Sequence, residues 1–308
     1  DIAPVRRDKN NISAFISIMR GCNNMCSYCI VPFVRGRERS RDPQTILQEL
    51  KELEEKGYKE VTLLGQNVDS YAWKKDNERT MSFAELLEHT AKHCPAMRIR
   101  FSTSHPKDLS DEVLKVMSKY DNICKHIHLP VQSGSTKVLK GMNRGYSREW
   151  YMDRIDAIRK YLPESEITTD IMTGFSGETE DDHKETLSLM EYANYDFAYM
   201  FAYSERPGTK AARKMNDDVP EVVKKRRLSE VIELQNQLSG KNKKNAIDKI
   251  FTVLIESVSK KSDKELAGRN SQNQVIVFPG KHKQIGDLVK VKVTDSTPGT
   301  LIGKIVEC

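Results

Sequence analysis

Long apolar runs are missing from these 308 residues. The longest stretches, such as Ala14 to Met19 and Val61 to Leu64, fall far short of the ~18 residues that a membrane-spanning helix needs, so a soluble, cytoplasmic protein with no membrane partner is expected. With Asp1 first and no charged-then-apolar stretch after it, no secretion leader is expected. Cysteine is scarce as well: six in a chain this long are too few for a disulfide framework. A strong overall charge is absent, the formal net value being +6. What is present is enough Val, Ile, Leu and Phe, within a 38% hydrophobic composition, to build a core despite 31% charged residues. Wholesale disorder is thereby excluded, and the length favours two domains or one large barrel with an appendage.

The modest charge is unevenly placed. Residues 1–205 carry 29 Lys+Arg against 32 Asp+Glu, residues 206–244 carry 11 against 5, and residues 245–308 carry 10 against 7. A basic tail on a near-neutral body suggests a polyanionic partner, nucleic acid first. The bland reading of the run Lys224, Lys225, Arg226, Arg227 is a solvated helix face. Through the first 205 residues, apolar β-branched segments alternate with amphipathic ones. Strands are expected at Ala14–Ile18, Val61–Leu64, Met97–Ser102, His126–Leu129, Ile167–Met172 and Phe197–Tyr203. Helices are expected between them, one of them capped by Thr179. Six strands separated by helices imply parallel pairing with right-handed crossovers, in an open sheet or a full or partial barrel. Chemistry then belongs to the loops at the carboxyl ends of the strands. A polar helix from about Pro220 to Lys244 leads to a tail of short β-rich runs at Phe251–Val258, Gln274–Phe278, Leu288–Val293 and Leu301–Val306, which fits a small antiparallel β-barrel.

Three of the six cysteines crowd into one loop after the first strand: Cys22, Cys26 and Cys29, in a CxxxCxxC pattern with Tyr28 directly before the last. Three thiolates can hold three corners of a cubane iron-sulfur cluster and leave one iron open. A structural zinc site is the competing reading, but it wants four ligands and no second CxxC pair exists. Cys94, Cys124 and Cys308 stand singly and read as incidental thiols.

The cysteine loop, its aromatic residue and its place after the first strand of a βα series resemble the radical S-adenosylmethionine (SAM) superfamily. The segments Leu64–Tyr71, Phe101–Pro106, His128–Ser135, Asp170–Thr179 and Phe201–Thr209 look like the signatures of the methylthiotransferases. The Leu-Gly-Gln-Asn-Val form at 64–68 is closest to their tRNA branch, the MiaB-type enzymes. The branches acting on a ribosomal protein or on threonylcarbamoyl-adenosine are the nearer alternatives, and a noncatalytic RNA-binding protein with a metal-stiffened loop is the more distant one. The tail from about residue 246, with Gly268-Arg269-Asn270, resembles the TRAM domain of the same enzymes. The resemblance implies an α/β fold with a partial (β/α)6 barrel over 1–209, a basic linker helix over 210–245 and a TRAM/OB-like RNA-binding β-barrel over 246–308.

It also implies a [4Fe-4S] cluster on Cys22, Cys26 and Cys29 whose open iron is chelated by SAM, and a methylthio group placed on carbon 2 of isopentenyl-adenosine beside the tRNA anticodon. No acid or base residue is expected to do the chemistry. SAM contacts are expected from Tyr28, Gly65, Gln66, Asn67, Gln132, Ser133, Asp170 and Gly174. RNA contacts are expected from Arg35, Arg37, Lys260, Lys261, Lys264, Arg269, Lys281 and Lys283. Few aromatics accompany the tail's basic residues, Phe278 being the clearest, so attraction to phosphates is expected there rather than base stacking. The expected partners are the anticodon stem-loop and an electron donor such as flavodoxin or ferredoxin, met by a monomer. A second, auxiliary cluster belongs to the family but finds no ligands in these residues, so an upstream domain of about 140 residues with three further cysteines is expected.

Overall fold

The computed structural model describes residues 6–7, 12–74, 80–280 and 282–306. Six parallel strands make the first body. β1 (Ser13–Ser17), β2 (Glu60–Leu64) and β3 (Arg98–Ser102) pair in register, Ser13 with Glu60 and Glu60 with Arg98. β4 (His126–His128), β5 (Glu166–Thr173) and β6 (Phe197–Ala202) form the second half. One parallel bridge, Ile99 to Ile123, joins the halves. The strands curve into a partial barrel because side chains alternate in character along each of them. Ala14, Ile16, Val61, Leu63, Ile99, Ile127, Ile167, Ile171 and Ala198 point outward into a continuous core. Thr62, Arg100, Ser102, His126, His128, Thr168 and Tyr199 point inward and line a cavity of about 440 Å³.

The core is closed by α1 (Pro43–Glu55), α2 (Phe83–His93), α3 (Asp111–Lys119), α4 (Arg148–Tyr161) and α5 (Glu180–Ala193). Each starts on a side chain that accepts a backbone N–H: Asp42, Ser82, Ser110, Ser147 and Thr179. Ser82 and Thr179 complete capping boxes with Glu85 and Asp182.

α6 (Glu221–Lys244) lies against β6 and α5. Its buried positions, Lys224, Arg227, Val231, Gln235 and Ser239, recur every three or four residues. Half of the basic run is therefore withdrawn from solvent, Lys224 and Arg227, while Lys225 and Arg226 are exposed. Lys224 Nζ donates to Asp217 at 2.6 Å and Glu221 at 3.2 Å, and Arg227 Nη1 donates to Glu178 Oε1 at 2.8 Å.

The tail is a closed five-stranded barrel: β7 (Ile250–Val258), β8 (Glu265–Arg269), β9 (Val275–Pro279), β10 (Leu288–Ser296) and β11 (Leu301–Ile305), in the order β7-β8-β9-β11-β10. Two features differ from expectation. β9 and β11 run parallel, so the barrel is not wholly antiparallel. β8, Glu-Leu-Ala-Gly-Arg, has no β-branched residue to announce it; Gly268 is required there because a Cβ would stand 2.1 Å from the Leu254 carbonyl oxygen. Phe278 is fully buried in this barrel's core, which withdraws it from any role in base stacking.

The two barrels dock through β3. Arg98 donates to the carbonyls of Arg269 (2.8 Å) and Thr252 (2.6 Å), and Arg100 to those of Asn270 (2.7 Å) and Ser271 (3.1 Å). Arg100 also pairs with buried Glu60 at 2.8 Å.

Candidate metal and cofactor site

The cysteine loop begins where β1 passes into a two-residue ladder, Met19–Arg20 against Arg39–Ser40. It is fastened from four directions. Gln66 Oε1, after β2, accepts the Gly21 N–H at 2.6 Å. Asn23 and Glu38 exchange three hydrogen bonds across the loop's mouth. Ser27 donates from its N–H to Met142 O (2.9 Å) and from its hydroxyl to Gly141 O (2.8 Å), while its own carbonyl accepts from Ala211 (2.7 Å). Asn143 Nδ2 donates to Met25 O at 2.9 Å. Met25 itself sits at φ 41°, a left-handed conformation that this network holds in place.

Cys26 is buried; Cys22 and Cys29 are partly exposed. Burial, and then the neighbouring sulfurs among other groups, pushes the Cys22 and Cys29 thiols up. Thiolates gathered this closely form a set relieved by a bound cation. Among the described residues no group of three or more His, Cys, Asp or Glu converges as a single metal ion demands. Three sulfurs without a fourth protein ligand suit a cluster with one open iron better than a structural zinc. Cys94 and Cys124 are buried singly in packing, and Cys308 lies outside the described residues.

Behind Cys26 stands a residue to which the sequence reading assigned nothing. Arg144, 5% exposed, extends Nη1 to Cys26 Sγ and to Tyr28 Oη, each at 3.4 Å. Its Nε–H meets Tyr146 Oη at 3.0 Å and Nη2 donates to Pro130 O at 2.5 Å. Tyr146 in turn donates to Val131 O at 3.0 Å. Burial, followed by the Arg144 charge, pushes His105 down to about 2, so that imidazole is neutral. Only the local sequence Met142-Asn143-Arg144-Gly145-Tyr146 could have flagged this arginine, through a Gly-bearing turn between two helical stretches.

The expected cofactor contacts separate into groups. Gln132 and Asp170 meet: the Gln132 N–H donates to Asp170 O at 2.9 Å and its Nε2 lies 3.5 Å from Asp170 Oδ2. His128 Nε2 lies 3.4 Å from Asp170 Oδ1, and its Nδ1 is 3.0 Å from Thr168 Oγ1. His128 and Thr168 line the barrel's interior cavity, and Gln132 stands beside them at φ 74°. Tyr28 is wedged edge-on against Phe175, ring centroids 6.5 Å apart. Gly65 donates its N–H to Ser102 O at 3.2 Å, and Gln66 serves the cysteine loop as described.

Asn67, Ser133 and Gly174 have other work. Asn67 is buried, donates to Asp108 at 2.7 Å and accepts from the His105 N–H at 3.1 Å. Ser133 is fully buried beside Thr186 of α5, 3.4 Å away. Gly174, at φ 74°, faces α6: a Cβ there would meet Lys224 Cγ at 2.3 Å. The packing of α6, rather than an adenine, accounts for that glycine.

Arg35 and Arg37 are exposed beside the cysteine loop, next to exposed Phe33 and Val34. Lys260, Lys261, Lys264 and Lys283 are exposed on the loops of the second barrel; Lys281 lies outside the described residues. Arg269 is a correction. Its guanidinium is held between the barrels, on Glu256 (2.8 and 3.0 Å), Asn273 (2.9 Å) and Glu60 (3.5 Å), and so serves the junction rather than standing free on a loop.

The family model of the Radical SAM superfamily matches residues 16–190, and that of the TRAM domain matches 247–306. The chain is 55% identical over 306 residues to the tRNA-2-methylthio-N(6)-dimethylallyladenosine synthase of Bacteroides fragilis, covering 99% of this chain and 67% of the relative. The corresponding synthase of Bacteroides thetaiotaomicron is 56% identical with the same coverage. Among solved structures, coproporphyrinogen III oxidase (HemN) from Escherichia coli superposes with a TM-score of 0.52 at 14% identity, over 84% of this chain and 66% of that one. Methylornithine synthase (PylB) superposes with a TM-score of 0.51 at 16% identity, over 74% and 63%. These two likenesses concern the fold alone.

Proposed function

The chain belongs to the radical SAM superfamily and, within it, to the tRNA-2-methylthio-N(6)-dimethylallyladenosine synthases, and from that premise we propose that it places a methylthio group on carbon 2 of isopentenyl-adenosine in the tRNA anticodon loop. The observation that carries this reading is the fastened three-cysteine loop at the carboxyl-end rim of the barrel, in a chain 55% identical to such synthases along nearly its whole length. Cys22, Cys26 and Cys29 would hold a [4Fe-4S] cluster. When bound, that cluster and SAM supply radical chemistry, which a ring C–H bond with no acidic proton requires.

The chain's own residues bind, orient and shield. Gln132, Asp170 and His128 present polar groups to the interior, where the SAM polar groups would be held. Gly65 and Gln66 set the loop beside them, and Tyr28, packed on Phe175, shields the side of buried Cys26. The base would be splayed out of the anticodon loop to reach the interior, the usual way a single-stranded base is read. Arg35 and Arg37 flank that opening, and Lys260, Lys261, Lys264 and Lys283 offer positive charge on the second barrel. The division into a catalytic body over 1–209, a connecting helix over 210–245 and an RNA-holding barrel over 246–308 is supported by the two matched segments. Residues 210–214 nevertheless pack on the cysteine loop through Ala211. A flavodoxin or ferredoxin as electron donor, a monomeric state and a cytoplasmic site belong to the same reading; no described helix is long and apolar enough to cross a membrane.

Anaerobic reconstitution with iron and sulfide tests the reading. The chain is expected to take up one cluster on these cysteines and release 5′-deoxyadenosine from SAM with dithionite, and Cys26→Ala to do neither. A colourless zinc form, or an iron-sulfur form that yields no deoxyadenosine, refutes it. Nucleosides of tRNA from a deletion strain decide the substrate: unchanged methylthio-isopentenyl-adenosine would overturn it.

A further inference from the structure

Arg144 is a buried cation without a carboxylate. Among the described residues its hydrogen-bond partners are one sulfur, two phenols and one carbonyl: Cys26, Tyr28, Tyr146 and Pro130. No Asp or Glu ion-pairs with it, in contrast to buried Arg100 with Glu60, Arg227 with Glu178 and Lys224 with Asp217; buried Arg98 meets two carbonyls at the junction of the barrels. A guanidinium stays charged at any ordinary pH, and a buried charge is costly unless an opposite charge meets it. The only partner here that can bring a lasting negative charge is Cys26, and it does so when its sulfur is a metal-bound thiolate.

We propose that Arg144 is the counter-charge of the metal-loaded cysteine loop, a positioning residue that raises the reduction potential of the cluster and ties its Cys26 corner to the loop bearing Gln132. The tie is geometric. One planar group spans Cys26 and Tyr28 on one side and Pro130 on the other, and Tyr146 fastens the same stretch at Val131. The charge effect follows from Coulomb's law in a water-poor site. Reduction adds one electron from an external donor and makes the cluster one unit more negative, and a fixed positive charge against a ligand sulfur favours that state. This rests on the reading of Cys22, Cys26 and Cys29 as cluster ligands.

The test is an anaerobic dithionite titration of the reconstituted chain followed by electron paramagnetic resonance, with iron and sulfide content measured on the same samples. Arg144→Gln keeps polar reach and loses the charge. Its oxidised-to-reduced ratio at a fixed potential is expected to rise at least tenfold, about 59 mV for one electron. Arg144→Lys keeps the charge and is expected within about threefold of the unaltered chain. Tyr146→Phe removes a hydrogen-bond partner but no charge and is expected to stay with the unaltered chain. An Arg144→Gln cluster titrating like the unaltered one overturns the proposal, as does a Lys or Tyr146→Phe variant shifted as far as Gln. Should Arg144→Gln lose its fold, judged by circular dichroism of the metal-free chain, Arg144→Met is read by the same criterion. An unaltered chain that takes up no cluster sinks the functional reading and this inference with it; a loaded chain with an unmoved Arg144→Gln sinks only the assignment of Arg144.

Discussion

Asp69 shows what burial does to a single side chain on this rim. It lies just beyond β2, near Asp108, and burial pushes its carboxyl up to about 7; the nearby Ser104 hydroxyl offsets this only in part. The sign of the linkage is fixed by that direction. A carboxyl whose folded pKa stands above its unfolded value holds its proton more tightly when folded, so its contribution to stability is greatest below pH 3.8 and is lost as pH rises toward 7. The swing is on the order of 2 to 4 kcal/mol. Asp69→Asn removes it, so thermal melts of the metal-free protein should show the variant gaining on the unaltered chain between pH 4 and 7 and staying ahead at pH 8. Parallel melting curves for the two proteins would contradict the assignment. Asn67, two residues earlier, teaches a related point: its residue type suits a cofactor contact, but Asp108 and the His105 N–H already take both ends of its amide. A turn sequence reveals which polar groups are offered and cannot reveal which distant groups have claimed them.

At the scale of elements, α6 separates two neighbouring arginines that look alike in sequence. Arg227 is buried with Nη1 on Glu178, both side chains under a tenth exposed, and Nη2 on Glu180, and Glu178 also accepts the Gly174 N–H at 2.8 Å. Arg226, 46% exposed, pairs with Glu180 and Glu230 in water. Breaking a buried pair strands the remaining charge and costs about 3–5 kcal/mol, whereas exposed pairs are screened and worth little. Urea unfolding should therefore find Arg227→Met strongly destabilised and Arg226→Met nearly silent; equal effects would show that the burial of α6 is misjudged. The same contrast marks what the sequence discloses. The six barrel strands are legible because short apolar segments holding Ala14, Ile16, Val61, Leu63, Ile167 and Ile171 stand between amphipathic stretches, and Thr179 announces the start of α5. β8 was not, because a Leu-Ala-Gly strand is selected by close backbone approach rather than by branched side chains. Nor was the role of the basic run, since its partners Glu178 and Glu180 lie more than forty residues away.

For the whole molecule, the docking of the two barrels redistributes the charge that the composition displays. Arg98, Arg100 and Arg269 are drawn into the junction with Glu60 and Glu256, and Lys224 and Arg227 into ion pairs beneath α6. The positive excess of the C-terminal third is thus smaller at the surface than the residue count suggests. Among the charges still exposed on the second barrel are Lys260, Lys261, Lys264 and Lys283, set in its loops while Phe278 fills its interior. Such a surface attracts phosphates, and with Phe278 buried its binding should be governed by counterion release. Each lost phosphate contact lowers the slope of log K against log salt by roughly 0.7 to 0.9. Lys260→Ala with Lys261→Ala should weaken binding of an anticodon stem-loop at low salt, flatten that slope by about 1 to 2, and leave the melting temperature in place. Arg269→Ala should do the reverse, lowering the melting temperature by uncoupling the barrels while the slope holds. A double-lysine variant with an unchanged slope would assign those lysines to solvent and move the RNA footprint to the opening flanked by Arg35 and Arg37.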